Sequence, residues 1–197
     1  MEDAAEPDRI IGMATRLFAN LGYDGMSLGM IADAFGVPVS TVTTAAGDKR
    51  RLYLTVMQRA FEAEREALQS AMDTCPPGRA CVHHILDAYI DFHVGHPYVR
   101  ALWAHRWVSD AADIPDLENH YPRLLFRLVG SRIKDEVPAG VNTYYLLGMM
   151  VWCVHGFLGS GVLAADQGML PADEPKVLAE FRSQMHLMFE GMLTARQ

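Results

Sequence analysis

Hydrophobic positions recur along this chain at three- and four-residue steps almost from end to end, a periodicity that predicts helices and no strands. Ile10, Ile11, Ala14, Leu17, Phe18 and Leu21 mark a first helix, and Gly22 is suited to end it. Ser27 is a natural N-cap for a short second helix carrying Leu28, Ile31 and Ala32, which stops at Phe35-Gly36. Pro38 opens a third short helix reaching about Thr44, broken by Ala45-Ala46-Gly47. Asp48 caps a long fourth helix with Leu52, Val56, Ala60, Ala63, Ala67 and Ala71 along one face, and Cys75-Pro76-Pro77-Gly78 stops it. Further helices are expected from Arg79 to Gly95, from Pro97 to near Ala111, around Tyr121, Leu124, Leu125 and Leu128, across the uncharged stretch after Gly140, and from Pro175 onward with Leu178, Phe181, Met185, Met188 and Met192 inward.

Three short helices, a long connector and five longer helices make about nine, an all-α protein with no internal repeat or flexible linker. The pattern divides into a small head over residues 7–52 and a body over 53–197. Half of the residues are hydrophobic and 21% are charged, as in a globular chain rather than a disordered one. Three cysteines (Cys75, Cys81, Cys153) without CxxC spacing are expected to be reduced, as in a cytoplasmic protein. The start, Met1-Glu2-Asp3-Ala4-Ala5-Glu6, is acidic with no apolar run, so neither a secretory nor a transit signal is expected.

From Val141 to Ala165 there is no Asp, Glu, Lys or Arg, a stretch long enough to span a bilayer. Yet His155 sits in its middle among Asn142, Ser160 and several glycines, and Asp166 follows with no basic flank to orient a span. A helix buried on all faces within a soluble oligomer is expected instead, with no membrane partner.

A short helix, a turn containing Gly36 and another short helix match the spacing of a DNA-reading helix-turn-helix. Residues 9–52 resemble the N-terminal domain of the TetR family of transcription regulators. The resemblance is carried by Arg9-Ile10-Ile11, Ala14, Leu17-Phe18, Gly22-Tyr23, Ser27, Ile31-Ala32, Phe35-Gly36-Val37, Ser40-Thr41-Val42, Lys49 and Leu52. It implies contacts to double-stranded operator DNA from Ser27, Pro38, Val39, Ser40, Thr41, Thr43, Thr44, Lys49 and Arg50. Ser27 and Lys49 stand at helix starts, where free N–H groups and the helix dipole favour a phosphate. The family has a tyrosine where this chain has Thr43, and a phenylalanine where it has Ala46.

Charge changes that picture. The net charge is −7, and residues 1–51 hold more acids than bases, so binding must lean on the Lys49-Arg50-Arg51 cluster and be salt-sensitive. The third helix offers hydroxyls but no Arg, Asn or Gln, an inventory for modest base readout.

In the body, aromatic and methionine-rich stripes suit a pocket between helices for an apolar or aromatic small-molecule effector. Its expected contacts are Tyr89, His93, Trp103, Trp107, Tyr121, Leu125, Met149, Trp152 and His155. The resemblance also implies a homodimer through helices near 141–166 and 174–195, where small residues such as Gly156 and Gly159 allow close approach. His83, His84, Asp87 and Asp91 share roughly one side of a helix but read as a solvated face rather than a metal site, and no cofactor is expected. No nucleophile elbow, HExxH or phosphate loop suggests an enzyme. The function implied is a ligand-responsive DNA-binding transcription regulator, a repressor released by its effector. The alternative is an all-helical small-molecule-binding module with weakened or lost DNA recognition.

Overall fold

A computed structural model describes residues 5–165 and 168–194. The first four residues of the acidic start, Asp166 beyond the uncharged stretch, and residue 195 of the second expected dimer segment lie outside the described residues. Among the described residues the helices are α1 (Ala5–Gly25), α2 (Leu28–Phe35), α3 (Val39–Ala46), α4 (Lys49–Thr74), α5 (Arg79–Gly95), α6 (Pro97–Trp107), the single turn α7 (Leu117–His120), α8 (Pro122–Ile133), α9 (Thr143–Ser160) and α10 (Pro175–Leu193). Among the described residues the chain is all-α apart from one antiparallel hairpin, β1 (Val162–Ala164) with β2 (Gly168–Leu170), where no strand was expected.

The contacts form two compact units, one of residues up to Ala63 with His96–Leu117, the other of Glu64–Gly95 with Glu118 onward. This differs from the expected division at residues 52 and 53, because α6 packs into the first unit. His105 Nε2 lies 3.0 Å from the Ala19 carbonyl, and the Asp110 carboxylate accepts from the backbone N–H of Tyr23 (2.6 Å) and Asp24 (2.8 Å).

In the first unit, Ile10, Ile11, Ala14 and Phe18 are buried as their spacing predicts, whereas Leu21 is exposed. Gly22 leaves the helical conformation at φ 72°, and the chain beyond this break buries Tyr23 and Met26 instead. Phe18, Tyr23 and Tyr53 form an aromatic core, with Tyr53 ring centroids 5.1 Å from Phe18 and 4.9 Å from Tyr23.

In the second unit, α5 is covered along Val82, Ile85, Leu86, Tyr89, Ile90 and His93. Stacked Phe157 and Phe181 rings, 3.9 Å apart, join α9 to α10. The uncharged stretch is shorter as a helix than its composition allows. The Asn142 side chain caps α9, accepting from the Tyr144 and Tyr145 N–H groups, and Gly161 ends the helix before the hairpin. No single helix among the described residues is long and apolar enough to cross a membrane.

The cysteine expectation is overturned for one pair. Cys75 and Cys81 are joined by a disulfide, their Cα atoms 4.9 Å apart, while Cys153 is free. The Pro76-Pro77-Gly78 turn doubles the chain back and brings the two together, a geometry that spacing alone did not reveal.

Candidate functional site

Two groups of residues carry chemistry, one in each unit. In the first, the chain bends by 109° between α2 and α3, within the range of helix-turn-helix motifs. Ser27 caps α2, its Oγ accepting from Met30 N, and Gly36 closes the helix at φ 65° with its N–H bonded to the Ala32 and Asp33 carbonyls. Val42 is the one fully buried residue of α3 and pins it to the core. Pro38, Val39, Ser40, Thr41, Thr43 and Thr44 are therefore all exposed, on the helix that the sequence marked for DNA.

The local chemistry refines the expected contacts. Thr43 and Thr44 donate their hydroxyl protons to the carbonyls of Val39 (3.0 Å) and Ser40 (2.8 Å), so as placed they offer lone pairs outward. Phosphate oxygens only accept, which leaves Ser40 and Thr41 the better-suited donors on this face. Lys49 is half-buried, its ammonium 4.3 Å from the centroid of the Tyr23 ring, whereas Arg50 is exposed. Asp48 caps the same turn by accepting from Arg51 N at 2.7 Å.

The second group lies inside the body. Of the nine residues expected to meet a ligand, Tyr89, His93 and His155 converge. Ring centroids are 4.4 Å apart for Tyr89 and His93 and 4.5 Å for His93 and His155, and the Tyr89 hydroxyl is 3.1 Å from His155 Nε2. Glu64, buried on α4, completes the group, with Oε1 3.6 Å from His93 Nε2 and just outside hydrogen-bonding range. Neither ring nitrogen of His93 makes a hydrogen bond, although the side chain is fully buried. Burial, with the Glu64 carboxylate second, pushes the Tyr89 hydroxyl well above its ordinary value, so it remains a donor.

Sequence reasoning missed Glu64. The buried stripe of α4 runs Tyr53, Met57, Ala60, Phe61, Glu64, Leu68, Ala71, and Glu64 holds its helical place in it. A carboxylate on an apolar stripe was the available signal.

The other expected contacts separate. Tyr121 and Leu125 are buried in the second unit, and Met149 is half-buried. Trp103 is buried in the first unit, while Trp107 is exposed because α6 ends there, so the pair does not share one fate despite its spacing. Trp152 is 62% exposed on the outer side of α9, over Gly148, which turns it away from the Tyr89 group.

The histidine-rich side of α5 is also corrected. It is solvated only in part, with His83 and Asp87 half-buried and bonded to α10 while Asp91 is exposed. His83 Nε2 meets Glu190 Oε2 at 3.0 Å, Asp87 Oδ1 meets His186 Nε2 at 2.9 Å and Arg182 Nη1 at 2.7 Å, and Arg182 also donates to Asp91. These residues tie α5 to α10 as an ion-pair network. Among the described residues no group of three or more is placed to hold a metal ion.

With the helix-turn-helix and the helical body in place, the class is defined: the chain has the fold of the TetR-family transcription regulators. Three solved structures carry the likeness. The fatty acid degradation regulator FadR of Bacillus halodurans matches with a TM-score of 0.74 at 14% identity, covering 96% of this chain and 97% of that one. A ketosteroid transcriptional regulator of Mycobacterium tuberculosis matches at 0.66 and 11%, covering 95% and 94%. The TetR-family regulator PfmR of Thermus thermophilus matches at 0.65 and 14%, covering 96% of each. No family model matches the chain, and no curated protein matches it in sequence.

Proposed function

We propose that this protein is a homodimeric, DNA-binding transcription regulator, a repressor released when a small molecule binds its helical body. One observation carries the reading: a helix-turn-helix whose second helix buries only Val42 fully and leaves Val39, Ser40, Thr41, Thr43, Thr44 and Ala45 exposed to solvent. Arg50 and the Ser40 and Thr41 hydroxyls are the proposed phosphate contacts, with Ser27 at the start of α2. Lys49, drawn over Tyr23, is a supporting charge rather than the principal one.

The effector is proposed to meet Tyr89, His93 and His155, with Glu64 beside them. It is an apolar or aromatic molecule carrying at least one hydrogen-bonding group, because the buried His93 ring, whose nitrogens make no hydrogen bond, favours a ligand that supplies one. Fatty acid degradation and ketosteroid regulation, named for two of the similar structures, fit a largely apolar ligand. Binding shifts the population between two states of the dimer only as far as the ligand prefers one of them.

The test is fluorescence anisotropy with duplex DNA from upstream of the protein's own gene, across a salt series. Binding is expected with log affinity falling linearly in log salt. Thr41→Glu abolishes it, Arg50→Ala weakens it and flattens the slope by about one ion, and Lys49→Ala does less. Absence of binding at low salt overturns the regulator reading in favour of a module that senses ligand without DNA, the reading to which Thr43 in place of tyrosine points.

A further inference from the structure

The cysteine pair lies outside both sites and has features that neither uses. Cys75 immediately follows α4, and Cys81 sits in the first turn of α5, so their bond joins the end of one helix to the start of the next. The two sulfurs differ in access. Cys81 is fully buried, whereas Cys75 is only half-buried and adjoins exposed Pro76 and Pro77. They differ in electrostatics as well. Arg132 of α8 places Nη2 2.8 Å from Cys75 Sγ. A guanidinium beside a sulfur favours its thiolate, the form that attacks and the form that leaves most readily. Cys153 is half-buried like Cys75, but burial pushes its thiol up.

We propose that Cys75 and Cys81 are a reversible thiol–disulfide exchange site, in which Cys75 reacts with a low-molecular-weight disulfide of the glutathione class and Cys81 resolves the product. Starting from the reduced pair, the Cys75 thiolate attacks one sulfur of the small disulfide. A mixed disulfide forms on Cys75, and one small thiolate leaves. Cys81, deprotonated, then attacks Cys75 Sγ, closing the bond seen in the structure and expelling the second small thiolate. The two leaving thiolates take up the two protons given up by the cysteines. Two electrons pass from the protein pair to the small disulfide, and excess small thiol runs the sequence backwards. The Arg132 guanidinium supports both directions, activating Cys75 as nucleophile and stabilising it as leaving group. The buried position of Cys81 excludes the small molecule from it and leaves intramolecular attack as its role.

The experiment equilibrates the full-length protein in buffers of stepped glutathione and glutathione disulfide ratio, traps thiols with a maleimide and counts them by intact mass. One cooperative loss of two thiols is expected, following the two-electron ratio, with Cys153 alkylated throughout under denaturing trapping. Cys81→Ser is expected to accumulate one glutathione adduct on Cys75, while Cys75→Ser accumulates none within the same time. Arg132→Gln slows adduct formation by about three- to ten-fold with an unchanged circular dichroism spectrum. If Cys81→Ser does not fold, rapid quenching of the wild-type reaction reads the same adduct. The proposal is overturned by independent one-thiol titrations, by an adduct on Cys81, by a bond between chains on non-reducing gels, or by an Arg132→Gln rate equal to wild type.

Discussion

At Gly22 the backbone, a side chain and a distant segment meet at one residue. Its φ of 72° strains any L side chain, and a Cβ built there would stand 2.8 Å from Asp110 Oδ1. The same carboxylate receives the N–H groups of Tyr23 and Asp24, which have left the α1 ladder where the helix breaks. Asp110 thus acts as an external cap for the end of α1. Gly22→Ala is expected to cost about 2 kcal/mol from the positive φ and the crowding, and Asp110→Ala about 1–2 kcal/mol from the lost charge-assisted bonds. The double variant should cost less than the sum, because removing the carboxylate relieves the contact that the new methyl suffers. Urea unfolding of the four proteins checks this, and full additivity would show that the two residues act apart. Gly22 was readable from the sequence as a helix terminator. Its partner was not, since nothing in the order of residues pairs positions so far apart.

Among the elements, α5 and α10 show what charge pairing does when burial is partial. Burial alone would raise the Asp87 carboxyl, but hydrogen bonds from His186 and Arg182 hold it below its ordinary value. A carboxyl whose folded value is depressed adds stability above its unfolded pKa, near 3.9, and that stability is lost as pH falls through the folded value. Because Asp87 is about one-third exposed, screening keeps this contribution below about 1 kcal/mol. Asp87→Asn should therefore be slightly less stable than wild type at pH 7 and indistinguishable from it at the acid end of the range. Denaturant midpoints measured at stepped pH test the prediction, and a difference that persists in acid would assign the loss to packing instead. The helices themselves were legible because periodicity and caps are local: Ser27, Gly36, Pro38 and Pro175 sit at or beside helix ends as their chemistry suggests. The hairpin was not, because Val162–Ala164 continues an apolar run and only the Gly161 break marks the change. Three of the four residues that converge in the body, Tyr89, His93 and His155, were picked out from the sequence, and Tyr89 and His93 stand together because they share one helical stripe. Trp152, on the uniformly apolar α9, had no polar face to give its direction.

For the whole molecule, that apolar α9 raises the question of what covers its outer side. Tyr145, Trp152 and Gly156 fall at helical spacing on the exposed face, and a side chain added at Gly156 would meet nothing within 4 Å. On α10 the exposed Leu187 and open Gly191 repeat the pattern. Glycine in an exposed helix interior costs about 1 kcal/mol relative to alanine, a cost that close approach of a second helix would offset. On the proposed function, a two-fold pairing of α9 and α10 with their copies would satisfy both features and supply the second reading head that a symmetric operator requires, about 34 Å from the first. Replacing Trp152 and Leu187 together by glutamate puts four carboxylates into that interface without touching the core of either unit. Light scattering is expected to show two chains for the wild type and one for the variant, with helical content retained. Operator affinity should then fall about a hundred-fold or more, because each half-site is bound singly instead of through one linked dimer. A variant that is monomeric yet binds DNA as tightly as wild type would separate the two properties and place the second reading head elsewhere; a variant that remains dimeric would move the interface off α9 and α10.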